Sequence, residues 1–205
     1  VHNMFPRQTV ALGSGLGGTF AILFLVSIVM AFVNTYATFY LQRLHGVDPL
    51  TAGYLFAVQS FMWTFGAYTA ASVRESSERH CIVIGLALVL VASIAIALAV
   101  DSGPVAVIGA GIGCTGIGIG LMNNPTIQRI MALAPEAERH IAGTAVQSVR
   151  NVGVSFGAAV AGMVAALAGL RDGSGAEVIA DAMRWVYGVN VIFAVVAVVV
   201  AVLAL

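Results

Sequence analysis

Charge is what this sequence lacks. Of its 205 residues 9% are charged and 60% are hydrophobic, against roughly 25% charged residues in an ordinary soluble domain. So few charges cannot cover the surface of a water-soluble fold. Lysine is missing altogether, since all nine basic residues are arginine, and nine acids bring the formal net charge to zero. No nucleic-acid partner is expected. Cysteine is scarce as well. Cys81 starts one apolar run and Cys114 lies in the middle of another, so neither is placed for an extracellular disulfide framework.

Other absences narrow the chemistry. No Asp or Glu occurs deep in any apolar run, which removes the embedded carboxylate that a proton relay ordinarily needs. The four histidines, His2, His45, His80 and His140, fall in the terminus or between the runs. An intramembrane Ser/His protease would therefore lack its buried base. There is no HExxH and no Cys/His cluster, so no metal, no cofactor and no enzyme activity are expected. No cleavable signal is visible: Val1 to Gln8 holds one Arg and a Pro, and the run that follows is too long for a signal core. The chain starts at Val and stops at Leu205 inside an apolar run, and we expect a piece of something larger.

Six long apolar stretches are present. They cover approximately residues 16–41, 51–73, 81–100, 105–123, 144–170 and 183–205, after an N-terminal linker segment, 1–15. About 20 residues are needed to cross a ~30 Å hydrocarbon core. Period-2 alternation is missing, and only helices or closed barrels satisfy the backbone in lipid, so the expected fold is all-α, a polytopic bundle of six transmembrane helices. Pro49 with Thr51 marks the start of the second helix, Asp101-Ser102-Gly103-Pro104 is a tight turn, and Pro125 breaks or kinks the fourth helix, with Asn124-Pro125 read as a helix end. Arginine placement, with Arg7, Arg74, Arg79, Arg129, Arg139 and nearby Arg150 on one side against Arg43, Arg171 and Arg184 on the other, favours both termini in the cytoplasm.

The six runs differ in polarity. The first, second, fourth and fifth carry Asn34, Thr35, Tyr36, Tyr40, Gln59, Trp63, Asn123, Gln147 and Asn151, whereas the third and sixth are almost purely apolar. Polar groups at membrane depth are costly against lipid. The first group is therefore expected to face a cavity or one another, and the third and sixth to face lipid. On the fifth run Gln147, Asn151 and Ser155 recur at i, i+4, i+8, with Gly153, Gly157 and Ala161 about 200° around at ~100° per residue. The polar stripe either lines a cavity or bonds to neighbouring helices. Trp63 is either a cavity wall or a packing residue, while Trp185, at a span end, is placed for the membrane interface.

Gly111-Ile112-Gly113-Cys114-Thr115-Gly116 matches the dinucleotide pattern GxGxxG, but that motif needs a preceding strand and a water-facing helix start. Inside a continuous apolar run, Gly109/Gly113 and Gly116/Gly120 instead allow close approach of a neighbouring helix. Arg150 lies one to two turns into the fifth run. It can snorkel to the interface, pair with Glu136 or Glu138, or serve as a gating or coupling charge.

Three stretches carry a family resemblance. They are Tyr40-Leu41-Gln42-Arg43-Leu44-His45-Gly46-Val47-Asp48-Pro49-Leu50-Thr51-Ala52-Gly53, the Gly-rich fourth run with its Pro135-Glu136-Ala137-Glu138-Arg139 connection, and Gln147 to Ala159. In order and spacing the chain resembles the C-terminal six-helix half of a major facilitator superfamily transporter, most like the drug/proton antiporter branch. The resemblance implies helices seven to twelve, or the last six of fourteen, with spans one, two, four and five around the central cavity. It implies proton-coupled export of small, hydrophobic or drug-like molecules by rocking of two bundles about a midplane site. The partners would be the lipid bilayer, the substrate, the proton, and an N-terminal six- or eight-helix half or a second copy, in the cell (inner) membrane. The cavity candidates are Asn34, Tyr36, Tyr40, Gln59, Trp63, Gln147 and Asn151, and the packing glycines Gly113, Gly116, Gly120, Gly153 and Gly157. The family's Gly-x-x-x-Asp-Arg loop would fall at residues 70–79. Here Ala70 replaces the Gly, and Arg74, Glu75 and Arg79 put base and acid in swapped order. Two other readings stand beside this one: a non-transporting membrane scaffold, whose polar stripes would be buried between helices, and an intramembrane enzyme.

Overall fold

Backbone hydrogen bonding in a chain this apolar is satisfied within helices, and helices account for nearly all of the computed structural model, which describes residues 14–72 and 77–205. In chain order they are α1 (Gly15–Arg43), α2 (Pro49–Ala71), α3 (Glu78–Ala99), α4 (Val105–Leu133), α5 (Arg139–Leu167) and α6 (Ala176–Ala204). A 3₁₀ turn, Glu136–Glu138, precedes α5. At 1.5 Å per residue the shortest, α3, is ~33 Å long. Five of the six are long and apolar enough to cross a membrane. The exception is α2, whose 23 residues include Thr51, Gln59, Ser60, Thr64 and Thr69. The expectation of six apolar spans is thus met as six helices, of which five are apolar.

Local chemistry sets the helix ends. The Ser14 hydroxyl accepts from Gly17 N at 3.0 Å and caps α1. At the other end, Leu44 N donates to Tyr40 O and Val47 N to Leu41 O, with Gly46 at φ +63°, a left-handed position that suits glycine. His45 Nε2 donates to Val100 O at 3.0 Å and ties this turn to the end of α3. Asp48 then caps α2, accepting from Leu50 N and Thr51 N with Pro49 in the first turn, as expected for that start. The Thr51 hydroxyl and N–H hold the Asp48 carboxyl below the ordinary carboxylate range.

Several boundaries differ from the expected ones. Pro125 does not end α4; the helix runs through it to Leu133. Proline removes one N–H donor, a loss tolerated in membrane helices when neighbouring elements hold the turn. Pro125 is buried, and Thr126 Oγ1 donates back to Met122 O at 2.7 Å. The anticipated long connection shrinks accordingly, because α5 starts at Arg139 rather than near Thr144 and ends at Leu167. Helix α6 begins at Ala176, seven residues before the expected Met183.

The helix contacts show an internal symmetry. α2 and α3 pack on α4, α5 and α6 pack on α1, α3 meets α6, and α1 meets α4. Exchanging the first three helices with the last three maps each of these contacts onto another or onto itself, while the smaller α5–α6 contact has no comparable α2–α3 counterpart among the described residues. With three successive helices in each unit joined by short connections, the second unit runs opposite to the first, as in an inverted repeat. The central helix is α1, and its Ile28, Phe32, Val33 and Tyr40 are buried against α3 to α6. Tyr187 of α6 donates to Val33 O at 3.3 Å, and Phe32 and Phe193 stack with centroids 5.8 Å apart.

The outer faces of α3 and α6 are aliphatic: Ile84, Val91 and Leu98 on one, Ile192, Val199 and Leu203 on the other, all exposed. Their shared inner face is not purely apolar. Asn190, which the sequence reading passed over, is fully buried and donates to Ser93 Oγ at 3.4 Å. Such a pair acts as polar glue between membrane helices.

Candidate functional site

Four helices contribute to a cavity of about 360 Å³. Ser27, Met30, Ala31, Asn34 and Thr35 come from α1, Trp63 from α2, Ile119, Met122 and Asn123 from α4, and Arg150 and Val154 from α5. The polar members Asn34, Thr35, Trp63, Asn123 and Arg150 all lie at least about eight residues, ~12 Å, from the nearer end of their helices. The cavity is therefore at mid-helix depth in the bundle, where its size and mix of apolar wall and few polar groups fit a small-molecule site.

Arg150 dominates the site electrostatically. Its Nη2 donates to Asn123 Oδ1 at 2.6 Å, a short, charge-assisted bond that joins α5 to α4. Because α5 starts at Arg139, the residue is about three turns into the helix, deeper than the one to two turns expected. It points across the bundle into the cavity. No Asp or Glu is among the lining residues. The hydroxyls nearby are committed: Ser27 donates to Leu23 O at 2.7 Å and Thr35 to Ala31 O at 2.6 Å.

Of the expected cavity residues, Asn34 and Trp63 line this space, together with Arg150, which with Arg74, Glu75 and Arg79 was expected as a gating or cytoplasmic charge. The others are placed elsewhere. Tyr40 is wholly buried in the core, its ring edge-on to Tyr187 at 5.4 Å; an aromatic body with one polar tip packs well between helices, and this corrects its reading as a cavity residue. Gln59 is buried on the α4 side of α2, where its backbone meets Gly116. Tyr36 lines a separate cavity of about 370 Å³ near the α1 and α5 ends, with Phe39, Arg43 and residues 170–174. Gln147 and Asn151 lie on the exposed side of α5, bonded to each other at 2.9 Å. Arg79 is exposed in the first turn of α3, while Arg74 and Glu75 lie outside the described residues. Asn123 was visible as a polar residue in a span, and the need of Arg150 for an acceptor was the signal that could have paired them.

The packing glycines sort by contact. A Cβ on Gly116 would strike Gln59 O, and one on Gly120 would strike Trp63 O, so α2 and α4 touch backbone to backbone. On α5 a Cβ at Gly157 would meet Ile28 Cα and O at 2.8 Å, and at Gly153 Phe24 O at 2.8 Å. Gly113 corrects the list, since its Cβ would find only Met62 and Val58 side chains at 3.7 Å, ordinary contact that any alanine accepts. Gly66 and Gly118, facing Ile117 O and Gly85 O, belong in its place.

An inverted pair of three-helix units with a polar cavity at mid-depth defines a polytopic membrane protein of the transporter type rather than an enzyme. The model of the Major Facilitator Superfamily matches residues 19–205, and the chain belongs to that family. It is 29% identical over 145 residues to proteins of Mycobacterium tuberculosis strains CDC 1551 and H37Rv, each described as a probable multidrug-efflux transporter. That match covers 68% of this chain and 31% of each relative. The fold is also similar to the crystal structure of an auto-inhibited POT family peptide transporter, with TM-score 0.70 at 15% identity, over 93% of this chain and 37% of that one. The chain thus spans about a third of the length of the proteins it matches.

Proposed function

We propose that the chain is the C-terminal half of a secondary transporter that exports small hydrophobic or drug-like molecules by alternating access, driven by the proton gradient. The observation that carries this reading is the cavity at mid-helix depth, to which α1, α2, α4 and α5 each contribute a polar residue. The exposed faces of α2 and α5 supply what a second bundle would cover. On α2, Leu50, Tyr54, Phe61, Phe65 and Tyr68 are exposed in one stripe opposite the buried Ala52, Gln59, Gly66 and Ala70. On α5 Gln147 and Asn151 are exposed as a polar pair. A scaffold would instead bury its polar stripes between its own helices.

In this reading all six helices cross the cell membrane with both termini in the cytoplasm, and lipid covers α3 and α6. The coupling carboxylate is assigned to the other bundle, because among the described residues every acid falls between helices or in the first two turns of one. The test is Nile red efflux from cells expressing the full-length protein. Trp63→Ala and Asn34→Ala should each slow efflux about tenfold, the equivalent of ~1.4 kcal/mol of lost interaction, and a protonophore should abolish it. Undiminished efflux from both variants at equal surface expression removes the cavity assignment; efflux that ignores the protonophore removes the coupling ion.

A further inference from the structure

Arginine inside a membrane bundle needs a counter-charge or a dense set of acceptors. Among the described residues the Arg150 guanidinium has neither. Among the described residues its hydrogen-bond partner is the single neutral amide oxygen of Asn123, and the residues around it include no carboxylate. A guanidinium offers five N–H donors in a planar fork, so most of its donor capacity is uncommitted. The rest of the wall is neutral and mixed in hydrogen-bonding character. Ser27 and Thr35 have turned their hydroxyl protons onto their own helix and leave acceptor oxygens at the wall. Asn34 offers both a donor and an acceptor, and the Trp63 indole N–H is donor only, so the guanidinium alone supplies charge. Leu23, Val26, Met30, Ile119 and Met122 complete the lining, apolar surface that lowers the local dielectric and strengthens any charge pair formed beside it.

We propose that this cavity binds anionic amphiphiles, with a carboxylate or sulfonate seated on the Arg150 fork and an apolar or aromatic body against Trp63, Met30 and Met122. The inference rests on the export reading and gives it a substrate class. Asn123 is a positioning residue: its side-chain oxygen holds one edge of the guanidinium and leaves the remaining N–H groups directed at the cavity. A cation would meet Arg150 without a neutralising acid and is excluded. A neutral molecule of the same shape would gain the wall but not the charge-assisted bonds.

The experiment uses three probes on one skeleton, naphthaleneacetate, naphthaleneacetamide and naphthalenemethylamine. Their binding to the full-length protein, delipidated in a neutral detergent, is measured by titration calorimetry. The expected order is acetate at least tenfold tighter than amide, with the amine weakest. Arg150→Gln should bring acetate down to the level of amide, whereas Arg150→Lys should keep a preference of a few-fold, since the charge remains and the fork is lost. The wild-type order stands as a test even if a variant fails to fold. Equal binding of acetate and amide, tighter binding of the amine, or acetate binding unchanged in Arg150→Gln overturns the proposal. In those cases, loss of amide binding in Trp63→Ala shows that the cavity reading survives without its anion preference; if no probe binds at all, both readings fall. Adding phosphatidylglycerol or phosphatidylcholine separates the sources of the anion, because competition by the first alone identifies a lipid headgroup and competition by neither a soluble substrate.

Discussion

The crossings that the internal symmetry relates, α2 on α4 and α5 on α1, reach close contact by different means. In the first, glycines lie on both helices: Gly116 and Gly120 of α4 receive the carbonyls of Gln59 and Trp63, and Gly66 of α2 receives that of Ile117. In the second, glycines lie on α5 alone, and Gly153 and Gly157 settle onto the backbone of a bulky α1 at Phe24 and Ile28. The same architecture is therefore held by a central helix stripped of side chains in one unit and by one rich in them in the other. The bulk of α1 fills the core with Ile28 and Phe32. The bareness of α4 lets Trp63 approach Ile119, Met122 and Asn123, which is where the cavity opens.

The largest effect expected from this contrast is at α4. Gly116→Val or Gly120→Val drives a branched side chain into a carbonyl, and neither neighbour is a flexible side-chain tip. Both variants should lose monodisperse folded protein, read by size-exclusion chromatography of the full-length protein. Gly113→Ala should be indistinguishable from the parent. Gly157→Ala comes next, because its Cβ meets Ile28 Cα and O at 2.8 Å and a small axial shift of α5 can relieve part of that. Its thermal midpoint should fall by less than that of Gly116→Ala. The reverse order would mean that the α1/α5 crossing is the tighter and would break the comparison.

Much of this was legible from residue spacing. The Gly153/Gly157 stripe and the Gly116/Gly120 pair could be assigned to packing because a membrane interior offers small residues few other uses. Pro49 with Thr51 marked the start of α2 because the chemistry of a helix start is local, and the structure adds Asp48 as its cap. The facing of the polar residues was not legible. Arg150 and Asn151 are neighbours, ~100° apart on a helix, yet one points into the cavity and the other away from the bundle. Polarity says that a residue avoids lipid; it does not say which neighbour receives it. Pro125 misled for a related reason, since its helix-breaking rule comes from water, whereas inside a bundle the packed neighbours hold the turn. Asn190 was hidden by its surroundings, one amide in a run that from Val191 to Leu205 is wholly apolar.

That amide gives a smaller test, on the helices the symmetry pairs with each other. Asn190 donates to Ser93 at 3.4 Å, and among the described residues its own oxygen has no donor. Polar contacts of this kind between membrane helices average about 0.6 kcal/mol. Asn190→Ala should therefore lower the unfolding free energy by no more than ~1 kcal/mol, and Asn190→Leu, which fills the space with carbon, should recover it. A loss of several kcal/mol in detergent unfolding would show that α3 and α6 depend on this pair as heavily as α2 and α4 depend on their glycines.

The smallest effect belongs to the opposite end of the same helix pair. Arg184 of α6 donates from Nε to Asp101 Oδ2 at 3.0 Å, with a second contact through Nη2, and so ties α6 to the α3–α4 turn. The arginine holds the Asp101 carboxyl below the ordinary carboxylate range. A depressed pKa means that the folded state binds a proton less readily than the unfolded chain, so the contribution is complete above the unfolded value of ~3.9 and disappears as pH falls through the lower, folded one. Since Arg184 is largely exposed, solvent screens the pair and the gain is small. Thermal midpoints measured from pH 7 down to 3 should fall slightly more for the parent than for Asp101→Asn, with the difference confined to the acid end and reduced by added salt. Identical slopes would show that the tie orients the turn without stabilising it, leaving backbone contact between glycine-bearing helices as the main support of the bundle at either end.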